Sequence, residues 1–207
     1  MNIEHLKTLV MEQAREKGFG TTLSEINAPE KFILICTEGI EVRDVEEESK
    51  VLLDDIAKFG ESYSMNPPYA GSFDAHPGVQ LACKTADNRH HYREEWGDVL
   101  QRTLHLGGCF GMTFSLQQFD SLPPPWSDAR YRKLYEMTIE AYTHYRKMSK
   151  EPQRKELMEH KLNDIASYCI AVAKSELFDI ESAILLKIGA NKERVWGGYN
   201  EKIVKKL

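Results

Sequence analysis

Thr37-Glu38-Gly39-Ile40-Glu41, read together with Glu94-Glu95-Trp96-Gly97-Asp98, sets the organisation of the chain. Each stretch places two carboxylates three residues apart within an apolar run of helical period. Residues i and i+3 are neighbours on one helix face, so Glu38 with Glu41, and Glu95 with Asp98, each present paired acids in one direction. Two such helices set face to face bring four carboxylates together. Like-charge repulsion opposes full ionisation of that cluster unless a cation compensates it. A hard ion with oxygen ligands suits the donors, which makes Mg²⁺ the expected occupant.

The pattern around the acids is helical throughout. Asn27-Ala28-Pro29-Glu30 reads as a helix start, with a cap, an early proline and a glutamate three residues on. That helix runs to about Glu48 and carries Phe32, Ile35, Ile40 and Val45 beside Glu38 and Glu41. An earlier helix is expected over residues 2–17, stopped by Gly18, and a short amphipathic piece over residues 51–59. Residues 60–87 hold Pro67-Pro68, Gly71 and Pro77-Gly78, which predicts a long loop, either a lid or a disordered segment. The helix bearing Glu95 and Asp98 is expected over residues 88–106, ending at Gly107-Gly108. A short helix over 115–122 should stop at Pro123-Pro124-Pro125. Ser127 then caps a helix ending near Lys150, Pro152 opens one to about Ser175, and Asp179 caps a last one through Lys187. No stretch alternates as a strand does, so the expected class is all-α, a bundle of five or six main helices.

Composition narrows the function classes. A chain of 207 residues with 29% charged and 42% hydrophobic residues is an ordinary globular one, long enough for a sizeable core. A net charge of -5 gives no reason to expect a nucleic-acid polymer or an anionic membrane as partner. The first residues lack a signal-peptide pattern, and no apolar run reaches membrane-spanning length. Cys36, Cys83, Cys109 and Cys169 are scattered without a C-x-x-C pair, which favours buried thiols over disulfides or zinc. A cytoplasmic location is expected.

The two sides of the proline run resemble each other. Glu95-x-x-Asp98 can be laid on Lys161-x-x-Asp164, and Thr37-Glu38-Gly39-Ile40-Glu41 on Ile139-Glu140-Ala141-Tyr142-Thr143. The later copy then keeps one acid of each pair. The expectation is a single domain over 1–207, built as a tandem duplication. A first half (about 1–122) holds the acidic site and a degenerate second half (about 127–207) completes a pseudo-dimeric four-helix core.

Glu38-x-x-Glu41, then Glu95-x-x-Asp98, then Lys187-x-x-x-Asn191-x-x-Arg194 resemble the MazG-like all-α NTP pyrophosphohydrolases. The resemblance covers about half the chain. It departs in the long interval between the acidic pairs, in the extra helix pair before Lys187, and in Ala190 where an aromatic often precedes the asparagine. By resemblance, Glu38, Glu41, Glu95 and Asp98 become ligands of Mg²⁺, with Mn²⁺ a possible substitute. Glu38 and Glu41 are the catalytic pair, one carboxylate such as Glu38 orienting the attacking water instead. Lys187, Asn191 and Arg194 become phosphate contacts. The implied reaction cleaves a nucleoside triphosphate between the α- and β-phosphates, giving a monophosphate and pyrophosphate. The expected partner is a small-molecule nucleotide, and the expected assembly a homodimer or higher homo-oligomer. A non-catalytic helical module that keeps the fold is the alternative.

Other residues carry weaker signals. Trp96 and Trp196 could each stack on a base or serve a core or interface. Glu94 points about 100° away from Glu95 and reads as solvated. Glu46-Glu47-Glu48 reads as a solvated helix end, and His90-His91 as surface residues. No E-x-x-H occurs, which argues against a di-iron bundle. Tyr63, Tyr69 and Phe73 are placed where the 60–87 loop could close over a base.

Overall fold

The computed structural model describes residues 1–65, 77–119, 121–125 and 127–193. Six helices lie in this order: α1 (Ile3–Lys17), α2 (Ala28–Met65), α3 (Pro77–Cys109), α4 (Asp128–Lys147), α5 (Arg154–Ser175) and α6 (Ile180–Glu193). Among the described residues there is no strand. The fold is all-α.

Local chemistry accounts for the clearest helix ends. Asn2 caps α1, its Oδ1 accepting from the amides of Glu4 and His5 at 3.1 and 3.2 Å. Gly18 closes α1 in the left-handed region at φ 70, where its amide and that of Phe19 return to the last turn. Asp179 caps α6 by accepting from the amides of Glu181 and Ser182 at 3.1 and 3.2 Å. Ser127 stands at the N-cap position of α4, but its hydroxyl donates to the Pro124 carbonyl at 2.7 Å and caps nothing.

α2 and α3 are longer than their sequence suggests. No break separates residues 48 and 51: Ser49 donates to the Val45 carbonyl at 2.8 Å, a bond made within the helix, and α2 continues to Met65. Pro77 is the first residue of α3, a position where a missing amide costs nothing, so residues 77–87 are helical. The expected 60–87 loop thus shrinks from both ends. Its centre, with Tyr69 and Phe73, lies outside the described residues. Gly107 and Gly108 do not end α3. A Cβ on Gly108 would lie 2.3 Å from Met11 Sδ, and one on Gly107 would lie 2.5 Å from the Phe114 ring. Close packing against the buried Phe114 ring favours glycine at 107, whereas at 108 the flexible Met11 side chain is what would have to move.

Residues 112–119 are not helical, contrary to the expected helix over 115–122. An isolated helix of that length is marginal. Its backbone is held instead by side chains of other helices. Glu4 accepts from the Phe114 amide at 2.7 Å, Asn163 from the Ser115 amide at 2.8 Å, and Ser167 from the Gln117 amide at 3.0 Å.

α2 packs along α3 and α4 along α5, while α2 also meets α4 and α3 meets α5, which makes a four-helix core. α1 and α6 lean on α3 from outside and touch each other. Glycines set two of these approaches. A Cβ on Gly39 would lie 2.9 Å from Leu134 Cδ2 of α4, and one on Gly97 would lie 3.3 Å from Ala183 Cβ of α6. Covered by α1, α2, α5 and α6, α3 buries every residue from 95 to 100. Two of those six are acids.

Candidate metal centre

Glu38 of α2 and Glu95 and Asp98 of α3 converge in the interior of this arrangement. All three are buried, and each offers a carboxylate oxygen within 4.8 Å of the others'. Metal–oxygen bonds of about 2.0–2.6 Å put opposite ligands about 4–5 Å apart, so one hard cation spans the three. Glu41 does not join them. The buried stripe of α2 runs through Phe32, Ile35, Gly39, Val42, Glu46 and Ser49, and Glu41 falls outside it. It is exposed and forms part of the wall of the adjoining cleft. The expected four ligands are therefore three buried acids and one outlying acid.

Two cations meet two of the three acids. Arg102 Nε donates to Glu38 Oε1 at 2.9 Å, and Lys187 Nζ lies 2.6 Å from Asp98 Oδ2. Burial pushes the Glu38 carboxyl up, against the opposing pull of Arg102. Glu95 is pushed up to about 8, by burial first and then by the neighbouring Asp98 and Glu41 carboxylates, with Lys187 opposing. Burial pulls Lys187 down, but its bond to Asp98 and the nearby acids outweigh that and hold it above its ordinary value. Glu95 Oε2 is buried with no hydrogen-bond partner. A buried carboxylate oxygen left unpaired is costly. A cation removes that cost, so the donor set fits a hard divalent ion.

The cluster adjoins a cleft of about 300 Å³ formed by α1, α2, α3 and α6. Glu38, Glu41, Asp98, Arg102, Lys187 and Asn191 are among its lining residues. Lys187 and Asn191, expected from the family resemblance, therefore share the cleft with the acids. Arg194, Trp196 and whatever they contact lie outside the described residues. His105 also lines the cleft, but its Nε2 is bonded to the Gly20 carbonyl at 2.9 Å, and burial pulls its pKa down. A carbonyl only accepts, so Nε2 carries a proton there and takes none up.

Trp96 is not at the cleft. It has 0% exposure and meets Tyr92 and Tyr168 edge-on at 6.5 and 6.1 Å between ring centroids. No base reaches a ring with no exposed surface, so its expected role in substrate binding gives way to a core role. Glu46 is also corrected. It is fully buried, with the Tyr92 hydroxyl 3.4 Å from its Oε1, while Glu47 and Glu48 are exposed as expected.

Several site residues carried no signal in isolation. His91 is exposed, yet its Nε2 lies 2.8 Å from Glu95 Oε1, an i,i+4 relation along α3. Arg102 reaches Glu38 from another helix, and Gln13 and Gln101 meet across α1 and α3 at 2.7 Å. Only the packing reveals those two. Comparison of the chain with family models, curated proteins and solved structures finds no match.

Proposed function

We propose that the chain is a Mg²⁺-dependent nucleotide pyrophosphohydrolase, cleaving a nucleoside triphosphate between its α- and β-phosphates. The observation that carries this reading is the convergence of Glu38, Glu95 and Asp98 within 4.8 Å, beside a cleft that also presents Lys187. Glu38, Glu95 and Asp98 would hold the ion. A divalent cation bound there supplies neutralisation of the polyphosphate charge and polarisation at phosphorus.

The remaining roles belong to the protein. Glu41 shares a helix face with Glu38 but is open to the cleft, so it is placed to orient a water and accept its proton. The water oxygen bonds to phosphorus as the bridging P–O bond breaks, and the electron pair leaves with pyrophosphate. Lys187 sits on Asp98 and would exchange that carboxylate for a phosphate oxygen as substrate binds. Arg102 fixes the Glu38 carboxylate by its 2.9 Å bond. Asn191, one turn farther along α6, lines the cleft as well.

The test is pyrophosphate release from a panel of NTPs and dNTPs, with Mg²⁺ or Mn²⁺ and with EDTA. Metal-dependent release that Glu41→Gln strongly reduces is the expected result. Silence across the panel, in protein shown to be folded, rejects the reading.

A further inference from the structure

Gln101 lies one turn beyond Asp98 on α3, and its amide orientation is fixed from outside. Gln101 Nε2 donates to Gln13 Oε1 at 2.7 Å, and Gln13 Nε2 donates to the Ile188 carbonyl of α6 at 3.3 Å. A backbone carbonyl only accepts, so Gln13 must turn its NH₂ to α6 and its oxygen to Gln101. Gln101 must then offer its own NH₂ to Gln13. Gln13 is buried at 4% exposure, which leaves this relay little freedom. The Gln101 Oε1 atom remains as an acceptor with no partner among the described residues. Three residues beyond Ile188, on the same face of α6, Asn191 holds a buried Oδ1 that also lacks a partner. Both residues line the cleft, whose apolar wall comes from Val10, Ala14 and Phe19.

Two acceptors without donors, beside an apolar wall and next to the acids, call for a flat ligand group that donates. We propose that Gln101, oriented by Gln13, and Asn191 read the exocyclic amino group of a nucleobase, so that the site takes cytosine or adenine nucleotides over their keto counterparts. This rests on the nucleotide reading above. An amino group brings two N–H donors to these oxygens. A keto oxygen in the same place faces two acceptors, and leaves itself and the buried Asn191 oxygen unpaired. Polar sites of this kind discriminate strongly, by about a hundredfold or more when fully enclosed. Gln101 is only half-buried, so about tenfold is expected here.

The experiment compares substrates that differ only in that group, CTP with UTP and ATP with ITP, by kcat/KM for pyrophosphate release. Wild type, Gln101→Met and Gln13→Leu are compared, and binding of CMP and UMP in EDTA is followed by calorimetry. The amino-bearing member should win in wild type by about tenfold, and CMP should bind more tightly than UMP. Both variants should bring the ratio towards one. A ratio is independent of the fraction of protein folded, so a destabilised variant still reports. Release without discrimination, a keto preference, or a ratio unchanged in Gln101→Met overturns the base assignment while leaving the hydrolase reading intact. No release from any nucleotide, with CMP and UMP failing to bind, overturns both.

Discussion

The two helix pairs each gather a cluster of charged side chains, and they do so in opposite ways. In α2–α3, Glu38, Glu95 and Asp98 come together with side chains 5–11% exposed. In α4–α5 the positions laid against them hold Glu140, Lys161 and Asp164, and these also come together. Lys161 Nζ lies 2.8 Å from Glu140 Oε2 and 3.6 Å from Asp164 Oδ2. The lysine stands where Glu95 stands in the first pair, and it supplies the cation internally. Its bond to Glu140 holds the Glu140 carboxyl below its ordinary range, whereas Glu95 is pushed far above it. The second cluster has its cation at the centre, between both acids. In the first, Arg102 and Lys187 reach Glu38 and Asp98 from outside the triad, and the Glu95 Oε2 atom left without a partner is the reason to expect an ion.

Changing one charge at a time should exchange these behaviours. Glu95→Gln removes a ligand and should lower metal-dependent turnover by about 10²–10³-fold, a magnitude typical of losing one electrostatic group at a reacting centre. Its metal-free stability should be unchanged or higher, because the carboxyl removed is one whose ionised form the fold disfavours. Glu95→Lys copies the second pair and should abolish divalent-ion binding outright, as read by calorimetry. Conversely, Lys161→Glu places three carboxylates in α4–α5. It should add a second, weaker divalent site, raising the stoichiometry from one to two in a titration with Mn²⁺. The site should be weaker because the Glu140 side chain there is 54% exposed.

A pH effect follows from Glu95. Its pKa in the fold, about 8, stands above its ordinary value of 4.5. Between those values the folded chain holds a proton that the unfolded chain releases, so stability falls as pH rises across that window. In EDTA the Tm should drop between pH 5 and 8.5. Saturating Mg²⁺ should restore it, by about 2.7 kcal/mol at a hundred times Kd. Glu95→Gln should flatten the slope. The smallest effect belongs to Glu140→Gln, which breaks a largely exposed ion pair and should cost about 0–1 kcal/mol in urea unfolding.

What the sequence revealed was local. Asn2, Gly18 and Asp179 act on amides within a turn or two, and the pairing of Glu95 with Asp98 follows from helix geometry alone. What it hid depended on partners far along the chain. Glu41 and Glu46 look alike in sequence, yet Glu46 continues the stripe of Gly39 and Val42 and is buried, while Glu41 is not. That signal is present in the period of the helix, since Glu46 lies seven residues beyond Gly39 and four beyond Val42. The segment after Gly111 had none, because its conformation is set by Glu4, Asn163 and Ser167. The Gln13–Gln101 relay was hidden for the same reason, since α1 and α3 meet only in the fold.

Calorimetric titration of Mg²⁺ and Mn²⁺ into the wild-type chain, beside Glu95→Gln, tests the metal centre most directly. One ion bound per chain in wild type, with binding lost in the variant while the Tm in EDTA holds, is the expected result. No binding to wild type, or equal binding to both proteins, would contradict a metal centre at Glu38, Glu95 and Asp98.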